Sequence, residues 1–177
     1  MAESAPEKTT FPRGWFAVGY STEIKDGQVQ GLSYFGSKYV AFRDTEGELA
    51  ILDAYCPHLG ADISVGGKVE DGCVRCPFHA WKFDHDGQCV DVPYAKKIPR
   101  GAKIASYPVN EVNGMIFMWH DPSGEPPHYE IPQVEQYGSD DWLDWAINSV
   151  VIKTHPREVV ENVADAAHFP TVHNTHI

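Results

Sequence analysis

Two short stretches decide how this chain folds: CPH at residues 56–58 and CPFH at residues 76–79. Each stretch holds one cysteine and one histidine, as C-x-H in the first and C-x-x-H in the second. Gly60 follows the first pair and Pro77 lies within the second, and both residue types favour tightly turning loops. The chain therefore offers two loops that each supply one thiol and one imidazole to a common site.

Mixed pairs of this kind suit a [2Fe–2S] cluster in which one iron is held by two cysteines and the other by two histidines. Replacing two thiolates by neutral imidazoles removes negative charge and raises the reduction potential. The pattern predicts that Cys56 and Cys76 bind one iron and that His58 and His79 bind the other. A tetrahedral zinc site is the alternative, because two Cys and two His also bind zinc, although zinc fingers group the cysteines in one pair and the histidines in the other.

The composition is that of a packed globular protein with an acidic surface. Hydrophobic residues make up 42% of the chain, and the formal net charge of −11 argues against a nucleic-acid partner. No apolar stretch approaches the ~20 residues of a membrane helix, and the polar N-terminus lacks the apolar core of a signal peptide. We expect no membrane span and a cytoplasmic location. Cys73 and Cys89 are expected to pack as small buried strand residues rather than to serve as ligands.

Short strands separated by turns fill the chain between Trp15 and Trp119, which predicts a small antiparallel β-sandwich or barrel. Asn113 and Gly114 form a favoured two-residue hairpin turn. Beyond a linker rich in Pro, Gly and acidic residues, the pattern predicts one more strand and then a helix that ends before Pro170. The predicted strands cover residues 39–42, 49–52, 73–76, 80–83, 88–92, 104–109, 115–119 and 145–153, and the predicted helix covers about 156–169.

A second group of chemical side chains lies in the stretch ENVADAAHFPTVH at residues 161–173. Asn162, Asp165 and His168 are three residues apart and share one helix face. His168 and His173 do not align on a regular helix, but the proline between them allows a bend that brings the two imidazoles together. Two histidines and a carboxylate are the ligands of non-heme Fe(II) oxygenases. The other interpretation is a capped helix end with surface histidines, because short motifs without context are weak signals.

The two Cys–His pairs resemble those of the Rieske proteins, and the resemblance covers residues 15–119. Ala61 and Phe78 stand where the respiratory and photosynthetic type carries the cysteines of a disulfide, so that disulfide cannot form here. His79 is followed by Ala-Trp, which is similar to the His-Gly-Trp of ring-hydroxylating oxygenases, with Ala80 in place of the glycine. Among the Rieske proteins, the chain therefore resembles the oxygenases.

Residues 162–173 resemble the N-x-x-D-x-x-H-x-x-x-x-H motif that opens the catalytic domain of Rieske oxygenases. The resemblance implies that His168 and His173 bind a mononuclear non-heme Fe(II). It implies that Asp165 is an inter-subunit electron-transfer bridge to a Rieske histidine and that Asn162 supports the site. The third iron ligand of the family has no counterpart in the sequence. We therefore expect this chain to be the N-terminal portion of a longer oxygenase and not catalytically complete alone.

One further histidine lies close to this motif. His176 is the only other candidate for an iron ligand there, and we rank it below His173.

The resemblance implies a mostly β protein. We expect a small antiparallel β-sandwich or barrel Rieske domain with a two-loop cluster-binding subdomain, followed by the start of an α+β catalytic domain. The expected parts are a flexible tail at residues 1–12, the Rieske domain at 13–120, a linker at 121–143 and the beginning of the mononuclear-iron domain at 144–177.

The sequence around the motifs resembles that of the steroid-directed branch of the oxygenases, at residues 52–61, 92–95 and 119–124. This branch includes bacterial 3-ketosteroid 9α-hydroxylase oxygenases and animal cholesterol 7-desaturases. The resemblance implies an oxygenase component that uses O₂ to hydroxylate or desaturate a hydrophobic substrate such as a steroid. It also implies an NAD(P)H-dependent flavin reductase as electron source, directly or through a ferredoxin, and a homotrimer at full length.

Two other functions compete with this interpretation. One is a stand-alone Rieske-type ferredoxin that only carries electrons, and the other is a zinc-stabilised binding module. The stretch 162–173 argues against the carrier, because a carrier has no use for a second iron.

Overall fold

The computed structural model describes residues 11–143 and 145–175. These form two compact units, one ending at Trp142 and the other beginning at Leu143. The predicted tail at residues 1–12 lies mostly outside the described residues. The strands of the first unit are β1 (Gly14–Tyr20), β2 (Val29–Tyr34), β3 (Ser37–Arg43), β4 (Leu49–Asp53), β5 (Lys68–Glu70), β6 (Cys73–Arg75), β7 (Lys82–Phe83), β8 (Cys89–Asp91), β9 (Ser106–Tyr107), β10 (Val109–Val112) and β11 (Met115–His120).

The described strands form three antiparallel sheets, in the orders β1-β11-β10, β2-β3-β4-β9 and β5-β6-β7-β8. Successive side chains of a strand point to opposite faces, and β3 uses both faces for packing. Tyr39 and Ala41 pack into one core with side chains of β1 and β11, whereas Val40 and Phe42 pack into a second core with side chains of β6 and β7. The prediction of a mostly β, antiparallel fold is confirmed.

The hairpin turn between β10 and β11 is the one that the sequence predicts. Asn113 and Gly114 have φ values of 55° and 75°, the left-handed conformation that a two-residue hairpin turn requires. The side chain of Asn113 also fixes the chain that follows the sheet, because its amide donates to the carbonyl of Pro132 and its Oδ1 accepts from the N–H of Val134. A locally encoded turn thereby also anchors the linker.

Two predicted strands differ from the observed ones for local reasons. Residues 80–83 are not all extended, because Ala80 has a φ of 59° and the strand begins only at Lys82. The predicted strand 104–109 is divided between β9 and β10, which belong to different sheets. Pro108 lies at the division, where it has no N–H to donate to a ladder.

The predicted strand at residues 145–153 is wrong, because this segment contains no strand. Its apolar side chains are exposed, with Val150 at 79% and Val151 at 88%. A strand needs a neighbour for its backbone hydrogen bonds, and none pairs with this segment in the described part of the chain. An apolar, β-branched composition was therefore insufficient to make it a strand.

The predicted helix at about 156–169 is shorter and interrupted. The segment α1 (Pro156–Ala164) is followed by a 3-10 turn at Ala166–His168 and by α2 (Phe169–Val172). The interruption falls at Asp165, whose side chain accepts from the N–H of Ala167 and so caps the 3-10 turn. Pro170 lies in the first turn of α2, which begins at Phe169, instead of marking the end of α1, since a first helical turn needs no N–H there. None of the described helices has the length and apolar character needed to cross a membrane.

Candidate metal centre

Two loops with the same backbone design carry the Cys–His pairs. In the loop after β4, the N–H of Gly60 donates to the carbonyl of Cys56 over 2.8 Å. In the loop between β6 and β7, the N–H of Ala80 donates to the carbonyl of Cys76 over 3.1 Å. The fourth residue after each cysteine has a positive φ, 73° at Gly60 and 59° at Ala80. Each loop therefore turns back on its cysteine in the same way.

The two cysteines form the inner side of the site. Cys56 is 3% exposed and Cys76 is 2% exposed, both are free thiols, and both belong to the core beneath β3 and β4. Burial is the largest cause that raises the pKa of the Cys56 thiol to about 11; a backbone hydrogen bond from His58 lowers the pKa, and the neighbouring Cys76 thiol adds to the raising effect. A bound cation reverses this effect, because a coordinating thiol is deprotonated outright.

The two histidines form the outer side of the site. Their ring centroids lie 4.6 Å apart with an interplanar angle of 72°. The Nδ1 atom of His58 is buried and has no hydrogen-bond partner in the described part of the chain. Buried polar atoms nearly always have a partner, and an imidazole nitrogen without one is free to bind a metal. The structure thus brings Cys56, Cys76, His58 and His79 together, with thiols inside and imidazoles outside.

Two aromatic residues that the sequence analysis gave no role complete the outer side. Trp81 stacks on His58, with ring centroids 4.7 Å apart and an interplanar angle of 10°. The indole Nε1 of Trp81 donates to the hydroxyl of Tyr94 over 2.6 Å, and the Tyr94 ring lies 6.4 Å from that of His79. The position of Trp81 two residues after His79 is the only sequence signal for this contact. Tyr94 carries no such signal, because its place beside the histidines depends on how the chain returns after β8.

The second predicted site lies in the unit that begins at Leu143. The bend after α1 brings the rings of His168 and His173 to a centroid distance of 5.2 Å. Asp165 Oδ2 lies 3.6 Å from His168 Nδ1, and Asp165 Oδ1 accepts from the N–H of Ala167. Asn162 is exposed on α1.

His176 lies outside the described residues. Within those residues, no group of three or more His, Cys, Asp and Glu side chains is close enough to hold one metal ion. The first site presents its four side chains as a thiol pair and an imidazole pair.

Comparison with known protein families decides what the first site is. Residues 14–108, more than half of the chain, match the Rieske [2Fe–2S] domain. The chain belongs to the Rieske family. Residues 118–177 match a second family model, the 3-ketosteroid 9alpha-hydroxylase C-terminal domain. The residues present fit the Rieske cluster, since it takes thiols and imidazole nitrogens as donors, and the site offers two buried thiols and an imidazole whose Nδ1 has no partner among the described residues. When bound, such a cluster accepts and releases single electrons.

The relatives of this Rieske protein include steroid oxygenases. It is 43% identical over 169 residues to the oxygenase component of a 3-ketosteroid-9-alpha-monooxygenase from Rhodococcus rhodochrous, covering 94% of this chain and 44% of that protein. It is 41% identical over 166 residues to cholesterol 7-desaturase nvd 1 from Ciona intestinalis, covering 94% of this chain and 35% of that protein. The chain thus spans less than half the length of these relatives. The resemblance to the steroid-directed branch of the Rieske oxygenases is confirmed.

Solved structures give the same family. A crystal structure of dicamba monooxygenase bound to dicamba matches with a TM-score of 0.74 and 25% identity, covering 91% of this chain and 48% of that chain. An oxygenase–ferredoxin complex of carbazole 1,9a-dioxygenase matches with a TM-score of 0.56 and 32% identity, covering 64% of this chain and 30% of that chain. Both neighbours are Rieske-type oxygenases, and both share the fold of this chain over the parts that match.

Proposed function

We propose that this chain is the electron-accepting portion of a Rieske non-heme iron oxygenase, an oxygenase component that uses O₂ to hydroxylate or desaturate a hydrophobic, steroid substrate. One observation carries the proposal. Two buried thiols and two outer imidazoles meet on two loops of the same backbone design, and the Nδ1 atom of His58 is buried without a partner in the described part of the chain. That arrangement serves reversible one-electron transfer better than it serves a structural metal.

Each predicted site residue receives a role in this proposal. Cys56 and Cys76 hold one iron of the cluster, and His58 and His79 hold the other. For the second group the roles follow the family motif and the close approach of the two imidazoles in the structure. His168 and His173 are ligands of a mononuclear Fe(II), Asp165 is the inter-subunit bridge to a Rieske histidine, and Asn162 supports the site. The domain assignment is the Rieske domain at 13–120, a linker at 121–143 and the beginning of the mononuclear-iron domain at 144–177.

The substrate class is inferred from the relatives. The names 3-ketosteroid-9-alpha-monooxygenase and cholesterol 7-desaturase both specify a steroid, although the chemistry differs between hydroxylation and desaturation. A steroid is bulky and apolar, and a pocket for it would use residues of a full catalytic domain. Steroid is therefore the substrate class that we propose for the whole protein, without a choice between the two reactions.

The partners are inferred in the same way. The carbazole 1,9a-dioxygenase neighbour was solved as a complex with a ferredoxin, which supports a protein electron donor here. We propose an NAD(P)H-dependent flavin reductase as the source of electrons, acting directly or through a ferredoxin. We also propose a homotrimeric assembly and a cytoplasmic location. The match of residues 118–177 to an oxygenase domain argues against a stand-alone Rieske-type ferredoxin.

The metal content of the chain tests the proposal. Protein purified without oxygen is expected to contain two irons and two acid-labile sulfides per chain and to give a Rieske-type EPR spectrum after reduction with dithionite. Cys76→Ser is expected to lose both iron and sulfide. Cys73→Ser is the matched control, because Cys73 lies on β6 only three residues away and outside the proposed ligand set. Zinc without sulfide, or an intact cluster in Cys76→Ser, would overturn the proposal.

A further inference from the structure

A cleft of about 540 Å³ opens where the β2–β3 hairpin meets β9 and the end of β11. One wall is Phe35, whose ring stacks on His120 at a centroid distance of 4.0 Å and an interplanar angle of 18°. A second wall is formed by Tyr39 and Tyr107, whose rings meet edge to face at 4.9 Å. Small-molecule sites in proteins typically have this size and this aromatic character.

The cleft lies on the side of β3 that is turned away from the ligand cysteines. Side chains alternate along a strand, so Tyr39 and Val40 point to opposite faces of the sheet. Tyr39 packs into the core shared with β1 and β11, whereas Val40 packs into the core that contains Cys56 and Cys76. The cleft is therefore separate from the cluster site.

The cleft contains a buried carboxylate with an unused acceptor. The Asp121 side chain is 2% exposed, and its Oδ1 accepts from the N–H of Ser123 over 2.6 Å. Its Oδ2 is buried and accepts no hydrogen bond from a residue that the structure describes. Arg13 Nε lies 3.0 Å from Oδ2 but outside hydrogen-bond geometry, so it balances the charge without donating. Because buried polar atoms nearly always have a partner, Oδ2 fits the hydroxyl donor of a ligand.

The Phe35 wall is built at a conformational cost. Phe35 has a φ of 51° in a two-residue hairpin turn with Gly36, where Asn, Asp and Gly are the favoured residues. A bulky side chain in this left-handed region is rare, and such residues cluster at functional sites. The rings of Phe11 and Phe16 pack edge-on against Phe35, at 5.4 and 4.9 Å. The ring is therefore held in place at the cleft.

We propose that this cleft is an accessory binding site for a steroid that carries a hydroxyl group. The aromatic walls suit a flat, apolar body, and Oδ2 of Asp121 suits a hydroxyl at its end. The choice of a steroid rests on the proposed function, whereas the walls and the unused acceptor are features of the cleft itself. An organic cation also suits aromatic rings, but Arg13 already supplies the positive charge beside Asp121.

Two steroids that differ in one group test the proposal. Testosterone carries a hydroxyl where androstenedione carries a ketone, and the rest of the skeleton is shared. The binding of each steroid to the cluster-loaded chain is measured by equilibrium dialysis without an electron donor. We expect testosterone to bind at least about tenfold more tightly, because a ketone offers no donor to Asp121.

Asp121→Asn is expected to reverse this preference. The amide keeps an oxygen for the N–H of Ser123 and places an N–H donor where Oδ2 lies, which favours the ketone of androstenedione. Asp62→Asn is the matched control, because Asp62 Oδ1 also accepts from a serine N–H two residues on and its Oδ2 also faces a cation, Lys38, outside the cleft. The control should change either affinity less than about twofold.

Phe35→Asn removes one wall in a variant that is expected to fold, because Asn followed by Gly36 suits the turn. It should weaken the binding of testosterone at least about tenfold. The proposal would be overturned by no binding of testosterone, equal binding of the two steroids, unchanged affinities in Phe35→Asn and Asp121→Asn, or tighter binding of tetramethylammonium than of testosterone. Absence of a dithionite-reducible Rieske signal would instead overturn the proposed function, so the two failures are distinguishable.

Discussion

The indole ring of Trp81 lies flat against the imidazole of His58, with centroids 4.7 Å apart and planes inclined by 10°. His58 carries the buried Nδ1 atom without a partner in the described residues, and Trp81 is itself 5% exposed and fixed by its hydrogen bond to Tyr94. A flat, buried ring on one face of an imidazole restricts its rotation about χ2. Trp81 is therefore a positioning residue for His58.

Replacing Trp81 by Leu is expected to alter the cluster and to destabilise the fold. Loss of the stacked face frees the His58 ring, so the EPR signal of the reduced cluster should broaden or its g-values should shift. Loss of a buried Trp should lower the free energy of unfolding by about 3 kcal/mol. Trp119→Leu is the control, because Trp119 is 3% exposed but packs against Trp15. The control should unfold as easily and keep unchanged g-values; equal spectral changes in both variants would contradict the positioning role.

Replacing Ala80 by Gly is expected to stabilise the second loop. Ala80 has a φ of 59°, a conformation that costs an L-residue roughly 1–2 kcal/mol and costs glycine almost nothing. Part of that gain is offset because glycine is more flexible in the unfolded chain, which leaves about 0.5–1 kcal/mol. A higher urea midpoint would confirm the prediction.

Ala61→Gly is the matched control for Ala80→Gly. Ala61 lies in the first loop, is not among the residues with positive φ, and packs against the core. The same substitution there should lower the urea midpoint, because it adds flexibility without relieving strain. Stabilisation of both loops, or of neither, would show that the φ of Ala80 stores no strain.

Replacing Glu111 by Gln is expected to remove one source of acid sensitivity. Arg43 donates to both carboxylate oxygens of Glu111, each over 2.7 Å, and these hydrogen bonds hold the pKa of Glu111 below its ordinary value of 4.5. A lowered pKa means that the ion pair contributes its full stability above pH 4.5 and loses it as the pH falls through the lower folded value.

The measurement is the free energy of unfolding in urea at several pH values. At pH 7, Glu111→Gln should be less stable by about 1–2 kcal/mol, less than for a fully buried ion pair because Glu111 is partly exposed to solvent. The gap should narrow below pH 4.5. Glu48→Gln, at an exposed position, is the control and should change little. A gap that stays constant with pH would contradict the prediction.

Metal removal and addition test the second site. The rings of His168 and His173 lie 5.2 Å apart, so the chain offers two imidazoles for a mononuclear iron. We expect Fe(II) added beyond the cluster irons to bind weakly and to be lost on dialysis, and we expect H168A/H173A to abolish this binding. His155→Ala is the control, because His155 lies at the start of α1 and contacts the N–H of Arg157. A third iron that survives dialysis would mean that Asp165 acts as a ligand.

The parts of the fold that could be predicted from sequence are those set by neighbours along the chain. The turn at Asn113 and Gly114 follows from backbone preferences at two adjacent positions, and α1 starts at Pro156, where a proline suits a first helical turn. The segment 145–153 shows the limit of this reasoning. Its composition is that of a strand, but a strand exists only when a partner supplies the other half of its hydrogen bonds.

The sequence by itself determined the chemical groups of this protein, namely the four side chains of the mixed Cys–His pairs and the residues of the Asp–His motif. It could do so because both motifs are defined by residue type and by spacing along the chain. Only the tertiary structure decided how those groups are held. Trp81 meets His58 and Tyr94, and Arg43 meets Glu111, through contacts between segments that are separated in the sequence. Such contacts depend on the closure of long loops and on packing across layers, which no local preference encodes.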